Sequence, residues 1–322
     1  MKADAAEAII GILEAAEEVA LTSHVNPDGD SIGSLLGLSI SLVALGKRVW
    51  AAIPGKGILP PQYRFMPGQD LLVPAASFPE RCPVFVALDC GNIERLNSLR
   101  DKALRAERFI NIDHHLDNTI FAQLNLVRPD TSSTSEIAFE LLKEARVPLT
   151  ADVAMSFYVG LMTDSGRFQH DNTNAATFRA ASELVAAGGN PHRAAHEVYE
   201  NQSLEYMRLI GRTLVRAEMV PNLELIHSYV SQQDLAETGA VMEETEDLID
   251  ILRMARGSRI AVLLKQLEDG QVRVSLRSAD DVDIAWIARK HGGGGHQRAA
   301  GFTSPYDHET TLRIIEEEFR SN

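Results

Sequence analysis

Val19-Ala-Leu-Thr-Ser-His24-Val-Asn-Pro-Asp28-Gly-Asp30-Ser31 decides how the first part of this chain folds. The apolar run Val19 to Ser23 stops where polar residues begin, and Ser31 to Leu45 has the spacing of a helix closed by Gly46. Arg48 to Ile53 reads as another strand, so the segments predict a βαβ unit with His24 to Asp30 at the carboxyl end of its first strand. Upstream, Ala5 to Val19 has apolar residues at helical spacing. Downstream, Val84 to Leu88 and Arg108 to Ile112 are apolar runs that stop at Asp89 and Asp113, as strands buried on both faces do. Ligands of open α/β sheets bind beyond the carboxyl ends of the strands, so these segments are expected to converge on one edge.

Helical patterns continue through Ser135 to Ala145, Asp152 to Leu161 and Ala175 to Ala187, until Gly188-Gly-Asn-Pro191 breaks them. After Val220 the texture changes. Leu223 to Val230, Arg259 to Leu267 and Gln271 to Leu276 predict strands, the last two joined by the turn Glu268-Asp-Gly270, and Val282 to Lys290 predicts a helix. The expected fold is α/β: a parallel-sheet domain with helices on both faces over residues 1–190, a helical connector over 191–215, and a smaller α+β domain over 216–322, across a cleft from the first.

Composition narrows the function. With 322 residues and 45% apolar content the chain can fill more than one core. A formal charge of -14 argues against coating long duplex nucleic acid, which requires many phosphate contacts, but permits a small anionic substrate in a local pocket. Cys82 and Cys90 cannot form a disulfide framework, and Met1-Lys-Ala-Asp4 does not resemble a signal peptide, so a reducing cytoplasm is expected. The longest apolar stretch, Ile32 to Leu45, is interrupted by Ser34, Gly37, Ser39 and Ser41 and falls short of the ~20 residues that span a bilayer. No membrane association is expected, and monomer and homodimer both stay open.

The chemistry lies in His24-x-x-x-Asp28-x-Asp30, Asp89, Asp113-His114-His115 and Asp164 of Leu161-Met-Thr-Asp-Ser-Gly-Arg-Phe168. Each alone has an ordinary explanation: a turn at Asp-Gly-Asp, a helix cap at Asp89, a turn opening at Asp164. Together they bring the carboxylates Asp28, Asp30, Asp89 and Asp164 to one place, and two divalent cations balance those charges. Imidazole and carboxylate donors without thiolate suit Mn²⁺, Mg²⁺ or Co²⁺ better than a structural zinc. A carboxylate bridging two such ions holds them about 3.5–4 Å apart, and a water between them loses a proton near neutral pH and attacks phosphorus. The expected reaction is phosphoester hydrolysis.

These motifs, with Thr163-Asp164-Ser-Gly, resemble those of the DHH phosphoesterases, and Gly292-Gly-Gly-Gly-His296-Gln-Arg298-Ala-Ala-Gly301 is similar to the signature of the DHHA1 domain that often follows. The compact layout resembles the bifunctional oligoribonuclease and 3′-phosphoadenosine 5′-phosphate phosphatase group. That resemblance implies hydrolysis of very short RNA or DNA oligonucleotides, or of bisphosphate nucleotides, with two divalent ions, Mn²⁺ ahead of Mg²⁺ or Co²⁺. It implies that His24, Asp28 and Asp89 hold one ion and Asp30, Asp89, His114 and Asp164 the other. It also implies that His115 faces the phosphate while Asp113 orients an imidazole.

The glycine run has a plain reading as a linker, but it lies inside a domain, after a helix and before Ala299 to Phe302. Gly293, Gly294 and Gly295 let backbone N–H groups approach a phosphate, and His296, Arg298, Arg277 and Ser278 are the side chains expected to join them. Asp130 to Glu136 reads as a capped helix start whose exposed N–H groups also favour phosphate, and Phe168 as core. Three rivals stay in view: a cyclic-dinucleotide phosphodiesterase, a family II inorganic pyrophosphatase, whose Arg-Lys-rich signature is not found here, and an inert nucleotide-binding sensor.

Overall fold

The computed structural model of the chain describes residues 2–245, 247–279 and 282–321, without the side chains of residues 2–4 and of His296. It divides into two compact units, Met1–Asn201 and Gln202–Asn322.

In the first unit, β1 (Glu18–Thr22), β2 (Arg48–Ala52), β3 (Val84–Leu88), β4 (Arg108–Asp113) and β5 (Leu124–Val127) form a sheet of order β2-β1-β3-β4-β5. Every pairing is parallel. The strand order reverses between β1 and β3, the position where doubly wound sheets bind ligands. Alternate strand residues face opposite cores. Val19, Leu21, Val84, Val86, Ile110 and Ile112 pack under the longer helices, whereas Ala20, Phe85, Ala87 and Phe109 pack under Phe78, Leu96, Leu99 and Ala103.

The helices of this unit are α1 (Lys2–Ala15), α2 (Gly29–Ala44), α3 (Arg100–Leu104), α4 (Thr134–Glu144), α5 (Ala151–Asp164), α6 (Ala175–Ala186) and α7 (Pro191–Ala195). Helix α1 ends before Val19, which belongs to β1 instead of the helix expected up to that residue. Helix α2 starts two residues earlier than its apolar pattern suggests, because the Asp28 carboxylate caps it by accepting from the N–H groups of Asp30 (3.1 Å) and Ser31 (3.0 Å). Helix α5 runs on to Asp164, which is therefore a helical residue and not the opening of a turn.

Helices α2 and α5 run antiparallel with backbones almost touching. A Cβ on Gly29 would lie 2.3 Å from Thr163 Oγ1, one on Gly33 2.5 Å from Ser156 O, and one on Gly37 2.5 Å from the Phe157 ring. Three glycines at four-residue spacing thus remove the side chains that would hold the helices apart. Asp30 at the start of one helix comes to stand by Asp164 at the end of the other.

The second unit contains α8 (Leu204–Val215), β6 (Glu218–Val220), β7 (Leu225–Val230), α9 (Gln232–Thr238), α10 (Leu248–Leu252), β8 (Ile260–Gln266), β9 (Val272–Ser278), α11 (Ala285–Lys290), β10 (Gly294–His296), β11 (Ala299–Ser304) and α12 (His308–Ser321). Its sheet has the order β10-β11-β9-β8-β7-β6, antiparallel except for β7 with β8. One face packs against α11 and α12 through Ile287, Ala288 and Ile315, the other against α8 and α10 through Leu209, Leu248 and Leu252. The fold is the expected α/β sheet domain followed by a mixed-sheet domain.

Candidate metal centre

Asp89 is the hub of the first unit's strand edge. It follows β3, is 2% exposed, and adopts a left-handed backbone with φ of 59°, a conformation costly for a residue with a side chain. Its N–H donates to Ile112 O (3.0 Å), which ties the turn to β4. Oδ2 lies 3.3 Å from His24 Nε2, and Oδ1 lies 3.7 Å from His114 Nε2. The carboxylate therefore faces a different imidazole from each oxygen.

Around it the donors form overlapping groups. His24, Asp28 and Asp89 have ligand atoms within 4.8 Å of one another, as do Asp30, His114 and Asp164, and Asp89, His114 and His115. His24 Nδ1 is 2.9 Å from Val25 O, so donation of its N–H there leaves Nε2 as the electron-pair donor, the usual arrangement of a metal-binding histidine. His114 Nε2 is 3.4 Å from Asp164 Oδ2. His115 differs: its Nδ1 lies 2.6 Å from Asp113 Oδ1, and it is this same nitrogen that comes within 3.6 Å of Asp89. Asp113 is fully buried and also accepts from Asn118 Nδ2 (2.5 Å).

Protonation reflects a surplus of buried negative charge. Burial by itself lowers the His24 pKa, but the carboxylates of Asp28 and Asp89 outweigh it and raise it to about 9. His114 rises to about 9 as well, burial being overcome by Asp164, Asp89 and Asp30. Burial, opposed by His114 and reinforced by Asp28 and Asp89, pushes Asp164 up to about 7. Burial and the charges of Asp89 and Asp164 drive Asp30 well above the usual carboxylate range. Yet its Oδ2 accepts from Thr134 N (2.6 Å) and its Oδ1 from Ser135 N (2.8 Å), contacts that favour the ionised form. Such a set holds its charges together only with added protons or added cations, and its donor atoms, all nitrogen and oxygen, fit divalent ions of the manganese or magnesium type.

The structure brings His24, Asp28, Asp30, Asp89, Asp113, His114, His115 and Asp164 to one edge of one sheet. Sequence reasoning did not find Ser31, Asn118, Thr134 and Ser135. Ser31 Oγ donates to Asp89 Oδ2 (2.7 Å) and Thr134 Oγ1 to Asp89 Oδ1 (3.2 Å). The Ser/Thr run from Thr131 to Ser135 was the available signal, but a helix-capping reading already accounted for it. Phe168 packs against the core and stacks on Phe178, with ring centroids 5.3 Å apart.

Comparison with known proteins agrees with this geometry. Residues 18–161 match the DHH family, N-terminal domain, and residues 222–320 match the DHHA1 domain. A Thermus thermophilus protein described as a bifunctional oligoribonuclease and PAP phosphatase is 33% identical over 297 residues, covering 91% of this chain and 86% of that one. The chain belongs to the DHH/DHHA1 family of phosphoesterases. A Bacillus subtilis protein of the same description is 28% identical, with 93% of each chain covered. The crystal structure of an exopolyphosphatase-related protein from Bacteroides fragilis superposes with a TM-score of 0.93 at 25% identity, covering 99% of this chain and 96% of that one.

In the DHHA1 unit the glycine run is a strand and its lead-in. Gly294 to His296 form β10, paired with Ala299 to Gly301. A Cβ on Gly293 would lie 2.1 Å from Gly301 O, and one on Gly295, whose φ is 136°, 2.4 Å from Ala299 O, so close strand packing demands both glycines. At Gly294 a Cβ would meet nothing within 4 Å. Arg277 and Ser278 end β9, one strand away. Arg277 Nε lies 3.6 Å from Asp250 Oδ1. Ser278 donates its N–H to Arg298 O (3.0 Å) and its hydroxyl to Val282 O (2.6 Å), which fixes the backbone at exposed Arg298. The His296 side chain, expected to contact substrate, lies outside the described residues.

Among the described residues no helix is long and apolar enough to cross a membrane.

Proposed function

We propose that this DHH phosphoesterase hydrolyses very short oligonucleotides to nucleoside 5′-monophosphates and removes the 3′-phosphate of 3′-phosphoadenosine 5′-phosphate. The observation that carries the reading is the position of Asp89, shared between a donor group with His24 and Asp28 and a donor group with His114. Support for the substrate class comes from the relatives described as oligoribonucleases and PAP phosphatases, which this chain matches over most of its length.

In this reading His24, Asp28 and Asp89 hold one divalent ion, and Asp30, Asp89, His114 and Asp164 hold a second, with Mn²⁺ the preferred metal. When bound, the pair supplies Lewis acidity to the phosphoryl oxygens and lowers the pKa of water toward neutrality. Asp113 takes the Nδ1–H of His115, fixing the tautomer and reserving Nε2 for the phosphate or the departing oxygen. In the DHHA1 domain, Arg277, Arg298 and His296 donate to a substrate phosphate together with the N–H groups of Gly294 and Gly295, whereas the Gly293 N–H is already taken by Ala288 O (2.8 Å), and Ser278 holds Arg298 in register. Substrates this small need no extended basic groove, consistent with the charge of -14.

The deciding experiment supplies Mn²⁺ and compares a 5′-phosphorylated dinucleotide, a longer RNA, 3′-phosphoadenosine 5′-phosphate, a cyclic dinucleotide and pyrophosphate. The dinucleotide and the bisphosphate nucleotide should give the highest kcat/KM. A preference for pyrophosphate or the cyclic dinucleotide would overturn the assignment.

A further inference from the structure

We propose that Thr134 is a positioning residue that couples the two cation positions, acting on a different carboxylate through each of its two donors. Its N–H donates to Asp30 Oδ2 at 2.6 Å and its hydroxyl to Asp89 Oδ1 at 3.2 Å. Thr134 is the first residue of α4, capped by the Ser133 hydroxyl, and is fully buried.

The first N–H groups of a helix lack partners inside it and carry partial positive charge. Here a buried carboxylate takes them: Thr134 N and the next N–H, Ser135 N at 2.8 Å from Oδ1, grip both oxygens of Asp30 across more than a hundred residues of sequence. The helix start therefore serves the site as a fixed charge complement and offers no free anion pocket. Asp89 needs a different restraint, because its two oxygens face different imidazoles and a twist of the carboxylate plane would misdirect both. Ser31 Oγ at 2.7 Å holds Oδ2, and the Thr134 hydroxyl holds Oδ1. One residue thereby sets the plane of the shared carboxylate relative to a carboxylate that serves only the second donor group.

This inference rests on the proposed two-ion centre, and its test reads metal binding directly. Thr134→Val keeps the shape and the N–H to Asp30 but removes the hydroxyl, whereas Thr134→Ser keeps both donors. Mn²⁺ is titrated calorimetrically into the metal-free full-length protein, and low-temperature electron paramagnetic resonance monitors the exchange-coupled pair. Wild type should bind two ions. In Thr134→Val one ion should bind normally and the other about 10–100-fold more weakly, the usual effect of removing a group that orients a metal ligand. The coupled signal should fade, kcat should fall at limiting Mn²⁺ and recover at high Mn²⁺ with KM for substrate unchanged, and Thr134→Ser should restore all three. Thr134→Ala removes the same hydroxyl without adding a methyl group and keeps the inference testable if Thr134→Val does not fold. Wild-type affinities and coupling in Thr134→Val, or in Thr134→Ala where the first variant cannot be made, would overturn the coupling role. A wild-type protein that bound no Mn²⁺ would instead remove the two-ion centre itself.

Discussion

Gly33 lies so close to Ser156 that a Cβ on the glycine would stand 2.5 Å from the serine's carbonyl oxygen. Through this contact α2 and α5 meet backbone to backbone, and it sets the separation of Asp30 from Asp164. Alanine normally favours a helix interior over glycine by about 0.5–1 kcal/mol. Here the obstructing atom is backbone and cannot rotate away, so overpacking of about 1–3 kcal/mol decides the sign. Gly33→Ala should lower the Tm and weaken Mn²⁺ binding together; a raised Tm with unchanged binding would contradict the packing argument.

Asp89→Ala removes the carboxylate common to both donor groups. Turnover should drop by more than the ~100-fold typical of losing a supporting group, with loss of both ions in equilibrium dialysis. Retention of two Mn²⁺ would show that Asp89 does not bridge.

Asp113→Asn leaves a hydrogen-bonding group beside His115 but no longer requires the Nδ1–H tautomer. Both ions should remain, while kcat falls about 10²-fold or more, the usual contribution of a positioned acid or base. Weakened Mn²⁺ binding with kcat restored at high Mn²⁺ would assign His115 to the metal instead.

The metal-free protein should lose stability as pH rises. His24 and His114, raised from 6.5 to about 9, bind more protons folded than unfolded, so their contribution is complete below pH 6.5 and lost by about pH 9. Asp164, raised from 3.8 to about 7, acts in the same direction: the proton it keeps when folded stabilises below pH 3.8, and that contribution is lost as pH rises through about 7. Thermal melts in chelator between pH 6.5 and 9 should show a falling Tm. Mn²⁺ should release protons on binding over the same window, so calorimetric heats should scale with buffer ionisation enthalpy.

Gly294→Ala separates fold from substrate contact in the DHHA1 domain. Its Cβ meets nothing within 4 Å, so Tm should be unchanged, whereas Gly293→Ala and Gly295→Ala should destabilise the β10–β11 pairing. Alanine keeps the N–H, but its Cβ projects into the open space from which a phosphate would approach, so if the Gly294 N–H contacts substrate KM should rise roughly tenfold, equivalent to displacing one hydrogen bond to a charged group worth about 1.5 kcal/mol. An unchanged KM would remove Gly294 from the substrate contacts.

Much of the parallel sheet was legible because its strands are short apolar runs ending in acidic residues: Val84 to Leu88 before Asp89, Arg108 to Ile112 before Asp113. Strand β5 went unread, since only Leu126 of its four residues is buried and Leu-Asn-Leu-Val has no strong period. Helix α12 was missed for a similar reason, its charged residues masking Thr311 and Ile315, the two positions buried in the core. Gly29, Gly33 and Gly37 were visible at helical spacing, but spacing alone does not reveal that a second helix lies against them.

By itself the sequence determined the residue types of the site and their order along the chain, because imidazoles and carboxylates at strand ends need chemical partners that few folds supply. Tertiary structure alone decided how those groups are held. The amino end of α4 grips Asp30, Ser31 and Thr134 fix opposite oxygens of Asp89, and three glycines let α5 deliver Asp164. The physical reason is that these are single hydrogen bonds and close approaches between segments distant in sequence, and neither leaves a periodic pattern along a chain.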